Sequence, residues 1–398
     1  MEIYTNMKVA HITHSGKFVD DTIGLFDSID YLDNTYYFMA SKINNELQCV
    51  KNKKYLVVKN TFKDIIDDIL ERKFSVVILY SKSYGMKTRQ LLRLNKETKL
   101  IWISFGFDIY SDTSIMRLDK FPIKMNLFST KTKRYLISHL RYLLGMFYRS
   151  PENYIAYPRF LQRVDYVSTV FNEEYEWLMK DKNLHAKRFS FKFVDHNKYD
   201  KLPEQIAMGK RWGILVGNSI MPTANHLDIF EKLKAMPLAQ KDKIIVPLSY
   251  AGAKTYRNYL IRVGKKMLGE QHLMPLLNYV PLNEYLSLLA NCKAAIMGYK
   301  RQQGIGNISW LFIYGAKVYL PKESVTYLHY KNMGVEVFSI EEDLTYEHLN
   351  TPLSHEQIEK NFNRIKQAAH YDIVRNDLKK SIDEVIKDLD ENDIKFEI

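Results

Sequence analysis

The sequence predicts an α/β protein made of two doubly wound, parallel-sheet domains facing a cleft. Three observations carry this. At 398 residues the chain exceeds one ordinary core and fits two domains of roughly 150–200 residues. Its N-terminal half alternates strand-like and helix-like segments, and the alternation restarts after residue 211 as five successive βα units within about 110 residues.

In chain order, Lys8–Thr13 (KVAHIT) reads as a buried strand followed by Ser15 and Gly16. Strand-like Tyr36–Met39 and Tyr55–Val58 come next, then an amphipathic stretch Phe62–Arg72, the strand Ser75–Tyr80, a helix near Lys87–Leu94 and the strand Lys99–Ser104. Beyond a basic interruption, Tyr166–Val170 reads as a strand and Glu173–Met179 as a short helix. The polar stretch His196–Lys210, with Pro203, reads as the linker. The second series predicts strands Gly213–Val216, Lys243–Leu248, Met274–Leu277, Ala294–Met297 and Lys317–Leu320. Between them lie helices Asn225–Lys234, Lys254–Leu268, Asn283–Ala290 and Ile308–Tyr314. In the tail Glu356–Leu389, Ile382, Val385, Ile386 and Leu389 recur at helical spacing. The expected domains are therefore 1–200, with a basic amphipathic insertion at 117–150, and 211–345, followed by C-terminal helices at 355–398 that pack back across both.

Composition narrows the class. Apolar residues make up 46% and charged residues 26%, without low-complexity stretches, so an ordered globular chain is expected. The start Met1-Glu2-Ile3-Tyr4 lacks a basic segment followed by an apolar one, and nowhere do 18 uncharged apolar residues occur together. Neither secretion nor a membrane span is expected. Cys49 and Cys292 stand far apart without metal-ligand spacing, consistent with a reducing cytoplasm. Net charge is +12, an excess that points to a polyanionic partner. Between Arg117 and Arg149 eight basic residues face one acid, Asp119.

In open α/β sheets ligands bind outside the carboxyl ends of strands, so the loops there are the residues to read. Lys300-Arg301-Gln302-Gln303-Gly304-Ile305-Gly306-Asn307 lies between a strand and a helix. Its glycines permit close backbone approach, the helix start offers unpaired N–H groups, and two cations precede them, a combination suited to a diphosphate. Gly217-Asn218-Ser219, followed by Asn225-His226, occupies the first strand-to-helix turn of the second domain. There Asn or Ser caps the helix, or the turn leaves N–H groups for phosphate. Asp108, after Ser104-Phe105-Gly106, is a candidate base for a sugar hydroxyl or else a helix cap; His11 and His14 flank the first strand end as weaker candidates.

Along Lys131–Arg149, Leu136, Leu140, Leu143, Leu144 and Phe147 form one stripe, with Lys131, Arg134, Arg141 and Arg149 opposite. The pattern suits a helix lying on an anionic bilayer, or one packed on the domain. No known nucleic-acid module appears, and nucleic acid is not expected as a partner.

The strings ILVGNS at 214–219 with Asn225-His226, VPLSY at 246–250, YLSLL at 285–289 and RQQGIG at 301–306 resemble, in order, the TDP-N-acetylfucosamine:lipid II N-acetylfucosaminyltransferase family. The likeness is dense from about Gly213 to Asp343 and thins in the N-terminal half to Trp102, Gly106, Asp108 and Tyr110. It implies a GT-B glycosyltransferase that moves a sugar, such as a 4-acetamido-4,6-dideoxyhexose, from a TDP-sugar to a polyprenyl-diphosphate-linked saccharide at the inner face of a bacterial cytoplasmic membrane. It implies donor contacts by Gly217, Asn218, Ser219, Asn225, Tyr250 and the 300–307 loop, with no tightly bound cofactor. No DxD pair stands in a metal-site context. The alternatives are a GT-B enzyme using a UDP-sugar for capsule or O-antigen, and a non-catalytic basic protein binding nucleic acid or membrane.

The basic segment yields a first prediction. Each Lys or Arg near an anionic surface contributes about 1 kcal/mol within a Debye length of about 8 Å. Replacing Arg134, Arg141 and Arg149 with Glu is expected to abolish low-salt sedimentation with anionic vesicles, while a water-soluble acceptor analogue still reacts. A triple variant that pellets like the parent makes the segment an ordinary packed helix.

Overall fold

The computed structural model describes residues 6–13, 19–39, 50–81, 88–110, 158–193 and 211–396. Cys49, the 117–150 insertion with Lys131, Arg134, Arg141 and Arg149, and the 196–210 linker lie outside the described residues, as does His14. The described residues divide into two compact units, one holding 6–110, 158–193 and 369–396, the other holding 211–368.

Among the described residues the first unit carries a seven-stranded parallel sheet in the order β3-β2-β1-β4-β5-β6-β7. Its strands are β1 (Met7–Thr13), β2 (Leu32–Met39), β3 (Leu56–Lys59), β4 (Val76–Tyr80), β5 (Lys99–Ile103), β6 (Tyr166–Ser168) and β7 (Lys187–Arg188). The central strands β4 and β5 are buried at every position, as near-continuous apolar runs covered on both faces require. Helix Phe62–Arg72 starts where Thr61 accepts from the Asp64 N–H and Asp64 reaches back to the Thr61 N–H, a capping box.

The predicted tail is two helices, His355–Ala368 and Tyr371–Phe396, and they belong to different units. The second returns to the first unit. Its Val374, Leu378, Ile382, Val385 and Ile386 are buried in one cluster with Val9, Val76, Ile78, Ile101 and Ile103. Polar contacts fix its register: Arg375 Nη2 donates to Ser28 O at 2.6 Å, Ser381 Oγ accepts from Ser190 N at 2.9 Å, and Asp388 pairs with Lys187 at 2.7 Å.

The second unit, in its described residues, is a six-stranded parallel sheet in the order β10-β9-β8-β11-β12-β13. The strands are β8 (Gly213–Val216), β9 (Lys243–Pro247), β10 (Leu273–Leu276), β11 (Cys292–Ile296), β12 (Lys317–Leu320) and β13 (Phe338–Ser339). Helices His226–Lys234, Lys254–Leu268, Leu282–Ala290 and Ile305–Ile313 alternate with them. Both sheets reverse strand order beside their first strand, between β1 and β4 and again between β8 and β11, the switch point at which such sheets open for a ligand.

Leu378 is fully buried against the first sheet. Leu378→Ala is therefore expected to destabilise this unit by about 2–5 kcal/mol, measurable as a lower urea midpoint. Unchanged stability would mean that the C-terminal helix contributes little to the core it touches.

Candidate functional site

In the second unit, β8 ends at the switch point in a turn that only glycine satisfies. Gly217 has φ +67°, and a Cβ there would lie 2.7 Å from His226 Nε2. His226 is buried, neither ring nitrogen has a hydrogen-bond partner among the described residues, and burial pushes its pKa down to about 4, so it is neutral. Gly217 N bonds Ile296 O at 3.2 Å, which holds the turn beside the end of β11.

The loop after β11 closes on this turn through side chains. Gln303 Nε2 donates to Asn218 Oδ1 at 3.0 Å and to Ser219 Oγ at 3.4 Å, while its Oε1 accepts from Thr223 Oγ1 at 2.9 Å and Arg301 Nε at 3.2 Å. Asn218 Oδ1 also accepts from the buried Tyr299 hydroxyl, and Asn218 Nδ2 donates to Tyr250 OH at 3.0 Å. Tyr250 itself is 53% exposed. Gln303 and Asn218 thus tie together the strand ends of β8, β9 and β11.

Gly304, at φ +70°, is the N-cap of helix Ile305–Ile313 and supplies no side-chain cap. The N–H groups of Ile305, Gly306 and Asn307 therefore start a helix without helical acceptors. Nothing lies within 4 Å of a Cβ built on Gly306, so this end of the helix is open. Asn307 Nδ2 is held by Tyr285 OH at 2.9 Å, and Gln302 is half-buried.

Two expectations need correction. The helix begins at Ile305 rather than Ile308, because the left-handed Gly304 lets it start directly after the turn. Asn225 does not cap its helix: it sits at φ +51°, and its Nδ2 donates to Gly298 O at 2.6 Å, joining the β8 and β11 loops. The Lys300 ammonium pairs with the Glu323 carboxylate from the loop after β12. Tyr299, Thr223 and Glu323 join these contacts without having carried any local sequence signal, whereas Tyr285 opens the YLSLL string.

In the first unit, His11 is fully buried, shares hydrogen bonds with Tyr80 OH at 3.0 Å and Asn34 Oδ1 at 2.9 Å, and stacks on Tyr36. Burial pushes its pKa down to about 3. It is a core group. Asp108 is also buried. Its Oδ2 accepts from Trp102 Nε1 at 3.0 Å, and its Oδ1 accepts from Ser104 Oγ at 2.9 Å and Phe105 N at 3.1 Å. The carboxylate thereby organises the turn after β5. Glu174, unmarked by any motif, accepts from Tyr110 OH at 2.7 Å and Phe171 N at 3.0 Å. Burial raises its pKa to about 7.

The sequence model of the family described as 4-alpha-L-fucosyltransferase, glycosyl transferase group 56, matches residues 162–366. Solved structures share the fold. A glycosyltransferase from Rickettsia africae is 10% identical with a TM-score of 0.60, covering 96% of this chain and 100% of that one. An alpha,alpha-trehalose 6-phosphate synthase from Burkholderia multivorans is 7% identical with a TM-score of 0.63, covering 98% of each chain. The Anabaena protein HepE, solved in complex with UDP-glucose, is 12% identical with a TM-score of 0.58, covering 95% of this chain and 100% of that one. The architecture is GT-B, two Rossmann-like parallel sheets with helices.

Asp108→Asn turns an amide N–H₂ toward groups that already donate. It is expected to lower stability by about 1–3 kcal/mol, the range for an unsatisfied buried polar group, read as a drop in thermal midpoint. A variant as stable as the parent but inactive in transfer would instead support Asp108 as the base.

Proposed function

Because the chain belongs to the 4-alpha-L-fucosyltransferase family, glycosyl transferase group 56, we propose that it moves a 4-acetamido-4,6-dideoxyhexose from a TDP-sugar to a polyprenyl-diphosphate-linked saccharide in bacterial surface polysaccharide synthesis. The chain is a glycosyltransferase drawing on a nucleotide-sugar donor. The observation supporting a diphosphate-bearing donor at this place is the uncapped, open helix start at Ile305–Asn307, beside Arg301 and locked by Gln303 to the Gly217 turn at the switch point; the sugar and the acceptor rest on the family resemblance.

Transfer breaks the bond between the anomeric carbon and the diphosphate oxygen, and negative charge grows on the departing group. Groups that bind this charge more strongly in the transition state than in the ground state accelerate the step. The helix start offers N–H donors and about half a positive charge, and Arg301 offers charge-assisted hydrogen bonds. The open face at Gly306 permits close approach. The exposed ring of Tyr250 offers a flat face to the pyrimidine base. Residues Gly217, Asn218, Ser219 and Asn225 shape the turn under the phosphates, and Gln302 and Gln303 frame it.

Among the described residues no helix is long and apolar enough to cross a membrane. In this reading the lipid-linked acceptor is reached through the basic segment 117–150, with the enzyme peripheral at the inner face of the cytoplasmic membrane. UDP-glucose in HepE, a protein of the same fold, favours keeping a UDP-sugar as the second donor to test.

Thermal stabilisation across TDP-, UDP- and GDP-sugars tests the donor, since a ligand at 100 times its Kd adds about 2.7 kcal/mol. The TDP-sugar is expected to give the largest shift, and an equal or larger shift with a UDP-sugar overturns the TDP assignment. Arg301→Ala is expected to weaken donor binding or transfer by roughly 10–100-fold, the loss of one charge-assisted contact. Unchanged donor kinetics would remove this loop from the site.

A further inference from the structure

The donor loops stand at the carboxyl ends of β8, β9 and β11. At the amino ends of the same strands lies a separate cavity of about 100 Å³, lined by Arg211, Lys241, Lys293 and Gly315 and by the segment 349–353. Arg211 precedes β8, Lys241 precedes β9, Lys293 is the second residue of β11 and Gly315 precedes β12. The parallel topology thus gathers three cations at one edge of the sheet, far along each strand from Gly217 and Gly304.

Their pairing is uneven. Lys293 is neutralised by Asp242 at 2.8 Å and donates to Asn350 Oδ1 at 2.7 Å. Arg211 is only 9% exposed, yet its one hydrogen bond among the described residues is a long contact from Nη1 to Cys292 O at 3.4 Å, and its Nε has no partner. No carboxylate among the described residues pairs with it. Lys241 is exposed and forms no ion pair with a described residue. A guanidinium stays protonated whatever its surroundings, and burying it without a counter-charge is strongly unfavourable. Among the described residues the cavity therefore carries two positive charges without a paired carboxylate, one of them buried, next to space several times a water's share of about 30 Å³.

We propose that this cavity binds a phosphate-type oxyanion, gripped by the Arg211 guanidinium with Lys241 supplying the second charge. The planar fork matches two oxygens of a tetrahedral anion, and a dianion balances both cations. A soluble phosphate and the phosphomonoester headgroup of a lipid present the same chemistry. The site is distinct from the donor loops, and β8 connects the two: only Trp212 and the four residues of β8 separate Arg211 from Gly217. Burial holds the Arg211 guanidinium below its ordinary pKa, consistent with a cation awaiting a partner.

The test is thermal unfolding of the full chain in inorganic phosphate against chloride at matched ionic strength. Phosphate is expected to stabilise the parent beyond chloride. Arg211→Met is expected to weaken phosphate affinity by roughly 10–100-fold, with an unfolding temperature in chloride no lower than the parent's, because an unpaired buried charge has gone. Lys241→Glu, on the surface, is expected to weaken the response as well and keeps the test decisive if Arg211→Met folds poorly. Arg301→Ala must retain the response, which separates this site from the donor loop. Vesicles of phosphatidylcholine with phosphatidic acid identify the source: binding lost in Arg211→Met marks a lipid headgroup, whereas equal vesicle binding alongside a lost phosphate response marks a soluble ion. The proposal is overturned if phosphate does no more than chloride, if both cavity variants respond like the parent, or if the response disappears with Arg301 instead.

Discussion

A parallel strand cannot turn back to pair with its neighbour; the chain must cross the sheet, and it does so by a helix. This constraint shapes both units. Strands such as Val76–Tyr80 and Gly213–Val216 are buried on both faces, so they have no free side-chain surface on which to place chemistry. Polar variety is forced into the loops at strand ends, and the reversal of strand order between β8 and β11 leaves two of those loops with room between them. The Gly217 turn and the Lys300–Gly304 loop occupy that place, and the backbone bond from Gly217 N to Ile296 O keeps the strand ends level.

Loops positioned in this way still need fixing, because each ordered loop residue costs about 1–2 kcal/mol of conformational entropy. In the second unit neutral amides provide the order. Gln303 uses both amide hydrogens and both carbonyl lone pairs on four partners, and Asn218 meets Tyr299, Tyr250 and Gln303. Each bond nets only about 0.5–1.5 kcal/mol, but a half-satisfied amide in this place would be costly, so the network is cooperative. The first unit solves the same problem with carboxylates. Asp108 holds the turn after β5, and Glu174 joins Tyr110 to the start of the next helix.

How much of this was legible in the sequence depended on the range of the interaction. Helices Phe62–Arg72 and Lys254–Leu268 match their expected ends because their apolar spacing is a local property. Strands β7 and β13, two residues each, are too short for any periodicity to show, and helices Val19–Phe26 and Val325–Asn332, at eight residues each, span little more than two turns. The tail reads as helical from its spacing, but spacing does not show that the chain changes units between Ala368 and Tyr371, each part burying its own stripe in a different core. In the candidate site the glycines and the RQQGIG string were visible as motifs. Glu323, 23 residues beyond Lys300, and Thr223, 80 residues before Gln303, were not, because only the folded sheet brings them near. His11 had the right residue type and the wrong surroundings: aromatic packing makes it a core group, which spacing alone does not reveal.

In the proposed donor site, the same network bears on how a diphosphate would be held without being trapped. Lys300 is committed to Glu323, so its charge is largely balanced before any ligand arrives. What remains at Ile305–Asn307 is a helix terminus, whose N–H groups are set by the backbone and lose no side-chain freedom on binding. Such fixed dipoles favour an anion while carrying only about half a charge. In the proposed reading they would stabilise the developing diphosphate when the sugar leaves, yet bind the spent nucleotide less tightly than an array of unpaired cations would. A transferase must do both, because interactions that hold substrate, transition state and product equally lower KM without raising kcat. The half-buried hub of Gln303 and Asn218 would make that compromise workable, since it fixes the loops around the dipoles before a donor arrives.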